Sequence, residues 1–307
     1  MCRKIAAYRN GKMPEAMVTQ KAGGTWAGNS ADLGWQEYVF PINFNLKDDP
    51  FGNKTGIMLP APLFDSLDLV LDYNFTISST AGFVTGGTNH VFDLYALIVP
   101  RDSREAMMAK RILVEVKKHD YTSLATGDEA FKLTLDSKRN LRQLYVQVYE
   151  AGVGEGVDVT NLVLKANNEV MWTTKWGDLQ AQNAIHANWN PHVGKVNLLS
   201  VSTTDEHWTK IPAVYAVNTP ITEEAYTIMS YVGDKITLAA SAAAKYGILH
   251  LYSDVIPAMA VMDFDLDGIG MNMQPQGIND LELVITQGGA DGAVEILEQS
   301  LSAVWGV

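Results

Sequence analysis

The chain has 307 residues, 47% hydrophobic and 19% charged, with 25 glycines, 11 prolines and a single cysteine, Cys2. This composition excludes a disordered chain, a collagen-like repeat and a disulfide scaffold, and the length suffices for one large or two medium cores. The net charge of −12 gives a surface that repels nucleic acid in general.

No uninterrupted apolar run reaches the ~18 residues that span a bilayer, and the first residues lack the apolar stretch of a secretory signal. The expectation is a soluble intracellular product, or a particle assembled inside a cell. Residues 1–30 carry Arg3, Lys4, Arg9, Lys12 and Lys21 against Glu15 alone, which leaves this stretch at +4 and the remainder at −16. It reads either as a basic arm facing phosphates or an anionic lipid surface, or as a solvated terminus.

Beyond the arm the governing period is two. Ile42, Phe44 and Leu46 alternate with polar neighbours, as do Leu67, Leu69, Leu71, Tyr73, Phe75 and Ile77. Each pattern places one apolar row on one face of a strand. Asp102-Ser103-Arg104-Glu105 has the form of a capping box ahead of Ala106, Met107 and Met108, which predicts a short helix. Strands are predicted again around Ile112, Val114 and Val116, around Phe131, Leu133 and Leu135, and around Leu144, Val146 and Val148. Glycine-rich loops at 22–30, 78–90 and 151–158 separate them. Gly152, Gly154 and Gly156 miss the dinucleotide-binding spacing and read as a hairpin loop. Trp176 to Ile185 has helical spacing, and Thr222 is placed to cap a helix over Glu223 to Met229. Ile248 to Tyr252 and Leu281, Leu283 and Ile285 complete the predicted strands. An internal echo links 64–71 (Phe-Asp-Ser-Leu-Asp-Leu-Val-Leu) with 278–285 (Ile-Asn-Asp-Leu-Glu-Leu-Val-Ile). Many strands with few helices predict antiparallel sandwiches rather than a parallel α/β sheet.

Catalytic signatures are missing from the sequence: there is no nucleophile elbow, zinc-protease pair, phosphate-binding loop or cysteine pair. Asp263, Asp265 and Asp267, followed by Gly268, have the spacing that opens a calcium loop. The twelfth position is Gln274 instead of a bidentate glutamate, and the flanks read as strand. Calcium and a plain strand ending in an Asp-Gly turn are the two readings. His186 and His192 share a loop without a third zinc ligand at suitable spacing, and His250 reads as an outward strand residue. The seven tryptophans suit core or subunit contacts, with a sugar-stacking platform as the other option.

One part of the pattern resembles a known family. The run Phe131 to Asp136, Leu141 to Tyr149, Asp158 to Lys165 and then Trp176 to Leu179 resembles the opening of a roll in double jelly-roll major capsid proteins. Asn279 to Ile285, Gly288, Gly289 and Ala293 to Leu297 resemble the last strands of such a roll. That family builds tailless, membrane-containing icosahedral viruses of the corticovirus, tectivirus and adenovirus lineage. The resemblance implies an all-β chain of two tandem jelly-roll β-sandwiches with short helical insertions. Its divisions would be a basic arm at 1–30, an abridged first roll at 31–105 and a second roll at 106–307. It implies a non-enzymatic subunit forming homotrimers, then contacts with neighbouring trimers and with penton and minor capsid proteins in a virion assembled in the host cytoplasm. Arg3, Lys4, Arg9, Lys12 and Lys21 would face the interior or an anionic internal membrane, without sequence-specific nucleic acid binding. A β-sandwich carbohydrate-binding or carbohydrate-active protein is the alternative.

Overall fold

The computed structural model describes residues 2–12, 16–19, 36–38, 42, 65–70, 93–96, 111–136, 138–150, 159–200, 204–208, 215–220, 227–232, 235–239, 245–265, 273–289 and 292–303. The predicted helix at 102–108 and the three glycine-rich loops lie outside them.

Helix α1 (Cys2–Asn10) opens the chain, followed by short strands β1 (Ala16–Thr19) and β2 (Gln36–Tyr38). A continuous series then begins: β3 (Arg111–Ser123), β4 (Gly127–Leu133), β5 (Arg139–Glu150), β6 (Val159–Ala166), β7 (Glu169–Lys175) and helix α2 (Trp176–His186). Strands β8 (His192–Ser200), β9 (Thr204–Trp208), β10 (Tyr215–Pro220), β11 (Thr227–Val232), β12 (Lys235–Ala239) and β13 (Lys245–Tyr252) come next. The chain returns with β14 (Met259–Asp263), β15 (Leu281–Gln287) and β16 (Gly292–Ala303).

Eight of these strands make two antiparallel four-stranded sheets, ordered β14-β5-β16-β3 and β4-β15-β6-β7. In chain order every step crosses between the sheets except the β6–β7 hairpin. The chain is therefore mostly β, with one complete sandwich between residues 111 and 303. The long excursion β8–β13 leaves this sandwich after α2 and re-enters at β14. Its strands pair elsewhere: β10-β13-β8-β1-β2 form a mixed sheet, in which β1 runs parallel to β8, and β11-β12-β9 form a small antiparallel one.

The inward faces carry the period-two residues. Phe131 and Leu133 of β4, Leu144, Val146 and Val148 of β5, Leu162 and Leu164 of β6, Leu283 and Ile285 of β15, and Val294 and Ile296 of β16 share one buried core. Trp176 and Leu179 of α2 join it. Burying a side chain of this size is worth about 1.5–3 kcal/mol, which makes this face the main source of sandwich stability.

Helix α2 also protects a sheet edge. β14 is an outer strand, and its open side would expose unpaired backbone groups. The buried Asn183 amide answers this by donating to the Val261 carbonyl at 2.9 Å and accepting from the Val261 N–H at 2.7 Å. The β6–β7 hairpin turns through Asn167 (φ 51°) and Asn168 (φ 68°), the left-handed pair that a two-residue loop requires.

Three predicted elements come out differently. The helix expected to run to Met229 meets β11 at Thr227, where the β-branched and aromatic run Thr-Ile-Met-Ser-Tyr-Val pairs with β12 across a register shift between Ile228 and Ser230. The first copy of the internal echo is not a strand over residues 66–70: the segment is exposed, with Val70 85% and Leu67 63% accessible. Its counterpart at 281–285 is paired on both sides and buried. Ile42, read as the start of a strand, is likewise exposed outside any strand, while Phe44 and Leu46 fall outside the described residues. Alternation reports that a segment can pair; a partner must still lie beside it.

Candidate functional site: a buried polar joint beneath the first helix

Strand β5 is buried on both faces, because α1 lies across the outer side of the sheet β14-β5-β16-β3. Ile5 and Tyr8 pack with Tyr145, Met259, Val261 and Leu297, and the Tyr8 and Tyr145 rings meet edge to face at 6.1 Å. The helix ends at Gly11, whose φ of +65° is the left-handed value that terminates helices. A Cβ there would stand 2.3 Å from the Ala187 carbonyl oxygen and 2.5 Å from that of Asn188. Close backbone approach thus seats the helix end on the loop after α2, and Asn190 N–H donates to the Gly11 carbonyl at 2.7 Å.

Between helix and sheet runs a chain of polar side chains. Tyr8 Oη donates to Asp263 Oδ2 at 2.9 Å, and Gln143 Nε2 donates to the same oxygen. Asp263 Oδ1 accepts from the Asp265 N–H at 2.9 Å, and Asp265 Oδ2 lies 3.3 Å from Arg142 Nε. Arg142 donates on to Gln143 and Gln299, and Tyr145 Oη donates to Gln143 Oε1. Gln299 Nε2 donates to Glu115 Oε1 at 2.8 Å, and Arg9 pairs with that carboxylate. Two guanidinium groups and three carboxylates are thereby held across α1, β3, β5, β14, β16 and the residues just after β14. Arg9, Arg142, Asp263 and Asp265 are buried, so each needs its partner, since an orphaned buried charge is costly; Glu115 is the exposed end of the polar chain.

The phenols are acid-silent parts of this joint. Burial, then the Asp263 carboxylate, holds the Tyr8 hydroxyl well above the ordinary tyrosine range, so it stays a donor. Burial raises Tyr145 likewise, against the opposing pull of Arg9 and Arg142.

Of the residues singled out in the sequence, Asp263, Asp265 and Arg9 take part in this joint. Asp263 and Asp265 are 5% and 3% exposed and are occupied by Tyr8, Gln143 and Arg142. Asp267, the third carboxylate of the calcium reading, lies outside the described residues. Among the described residues no group of three or more His, Cys, Asp or Glu side chains converges to hold a metal. Lys4 and Arg9 are buried at 9% and 5% exposure, and Lys12 is exposed. The Arg3 side chain and Lys21 lie outside the described residues. Tyr8, Glu115, Arg142 and Gln299 were missed. For Arg142 and Gln299 the signal was a polar residue in a strand stretch that is otherwise buried.

Trp176 is in the core, Trp172 stands edge-on to Phe264 at 5.8 Å, and Trp189 Nε1 donates to the Ser253 carbonyl at 2.8 Å. These three pack into the protein and do not line an open stacking platform. Val170 and Met171 on the outer strand β7 and Ile185 on α2 are exposed, as are Leu94 and Tyr95. No helix among the described residues is long and apolar enough to cross a membrane.

No family model matches the chain, and no curated protein sequence matches it. Among solved structures it is similar to the crystal structure of the major capsid protein P2 from Bacteriophage PM2, at 12% identity and a TM-score of 0.21, over 62% of this chain and 98% of that one.

Proposed function

We propose that the chain is a structural subunit of a viral shell, a major capsid protein that works through its surfaces and has no catalytic centre. The observation that carries this reading is the strand order of the sandwich, β14-β5-β16-β3 over β4-β15-β6-β7, which is the connectivity of an eight-stranded jelly roll. Fold alone does not choose a function. The order is joined by the resemblance of residues 131–179 and 279–297 to double jelly-roll capsid subunits. It is also joined by large apolar side chains left open at the edge strand β7 and on the segments 65–70 and 93–96. Such side chains suit burial against further copies of the chain.

In this reading a second β unit stands beside the roll, drawn from β1, β2 and the excursion β8–β13. Three chains around a three-fold axis make a pseudo-hexagonal block, and blocks tile a facet. Modest contacts then add up over many neighbours. Penton and minor proteins would fill the vertices and seams, and an internal membrane would lie beneath. Lys12 is the described, exposed member of the basic set left to face that membrane. Electron micrographs of purified protein test the proposal. Hexagonal arrays or closed shells are the expected result, and particles that stay single while the protein is retained on polysaccharide columns would overturn it.

A further inference from the structure

Where the excursion β8–β13 leaves and rejoins the sandwich, two histidines meet. His192 opens β8 and His250 lies near the end of β13, its antiparallel neighbour. Tyr252 is the register partner of His192, and Lys195 that of His250, so the imidazoles approach on the diagonal of the ladder. His250 Nδ1 stands 3.3 Å from His192 Nε2, with ring centroids 5.5 Å apart and planes at 52°. The Tyr252 ring stands edge-on to His192 at 5.3 Å and fixes its tilt.

The frame around the pair is tied down. Ser253 N–H donates to the Pro191 carbonyl at 2.8 Å, Trp189 donates to the Ser253 carbonyl, and His192 N–H donates to Asn190 Oδ1 at 3.0 Å. Both strand ends are therefore held at one spacing by bonds that do not involve the rings. His186, the partner considered for His192 from sequence, is exposed at the end of α2 and plays no part in the pair.

Two imidazole nitrogens bound at about 2.0–2.1 Å to one tetrahedral zinc ion stand about 3.3–3.4 Å apart. The two ring nitrogens already have that separation. We propose that His192 and His250 form a two-imidazole site for a borderline transition-metal dication, zinc in the first place, with water completing the coordination. Loading needs both facing nitrogens bare, so the His250 proton sits on Nε2 and the His192 proton on Nδ1. The ion then takes the place of the hydrogen bond and staples β8 to β13 at the root of the excursion. Imidazole pairs of this kind also accept copper(II) and nickel(II), which serve as spectroscopic probes.

The test is titration calorimetry of the full chain with zinc chloride, with copper(II) electron paramagnetic resonance on the same protein. The expected result is one zinc per chain and a copper signal with two nitrogen donors. His192→Asn and His250→Asn should each weaken zinc by at least about tenfold, the loss that even a supporting partner causes, while His186→Asn leaves it unchanged. Zinc should also raise the melting temperature of the unaltered chain and not that of the double variant. Absence of zinc uptake by the unaltered chain at roughly 100 µM metal, or uptake unchanged in folded variants, would overturn the proposal. This outcome is independent of whether the chain assembles.

Discussion

At the scale of single residues, the two asparagines of the β6–β7 turn separate backbone from side-chain effects. Both hold positive φ, but only Asn167 also works through its amide. Its Nδ2 donates to the Gly277 carbonyl at 2.8 Å, and its Oδ1 accepts from Asn279 N–H at 2.9 Å. Asn167→Ala should cost about 2 kcal/mol, from left-handed strain and lost hydrogen bonds. Asn168→Gly makes the Asn-Gly pair that such turns favour and should stay within about 0.5 kcal/mol of the parent, or stabilise. Urea unfolding of both variants checks the contrast. The buried phenols give a second residue-scale expectation. Their folded pKa values lie above the free value of 10.0. Above that pH the unfolded chain releases protons that the folded chain keeps. Their contribution is thus complete below about pH 10 and is lost as pH rises, by about 1.4 kcal/mol per unit for each phenol. Unfolding free energies measured from about pH 8 to about pH 11 should fall more steeply for the parent than for Tyr8→Phe. Equal slopes would show that Tyr8 is not held in this way.

Among elements, α1 is the one whose placement organises the joint. Gly11→Ala forces a side chain toward the Ala187 and Asn188 carbonyls at a φ that resists it, so the helix end must lift. The expected outcome is faster proteolysis near residues 2–12 and a loss of at least about 2 kcal/mol, with strand content retained. An unchanged cleavage pattern would contradict the docking. This helix was not legible in the sequence. Ile5, Ala7 and Tyr8 are its buried apolar residues, and Lys4 and Arg9, which read either as a basic arm or as a solvated terminus, are buried as well. Helix α2 was legible through the spacing of Leu179 and Ile185, although only Leu179 of the two reaches the core and Ile185 is exposed. Its second task, closing the β14 edge through Asn183, was not, since an amide in a helix has no pattern that names its partner.

For the whole molecule, strands β4, β5 and β15 could be read because Phe131 and Leu133, then Leu144, Val146 and Val148, then Leu281, Leu283 and Ile285 each meet the shared core. Their order could not be read. β4 pairs with β15 and β3 with β16 across more than a hundred residues, and periodicity carries no information on distant partners. Of the excursion β8–β13, Ile248 to Tyr252 was legible as a strand within β13, but the partners were not: these strands pair with β1 or among themselves. Such non-local pairing also implies slow folding, as long loops must close before the sheets gain contacts. The central claim is that this sandwich serves as a self-associating block. Light scattering coupled to size exclusion, over a wide range of protein concentration, tests it most directly. The account predicts a persistent species of three chain masses that grows into larger assemblies; a single chain mass at every concentration would contradict it.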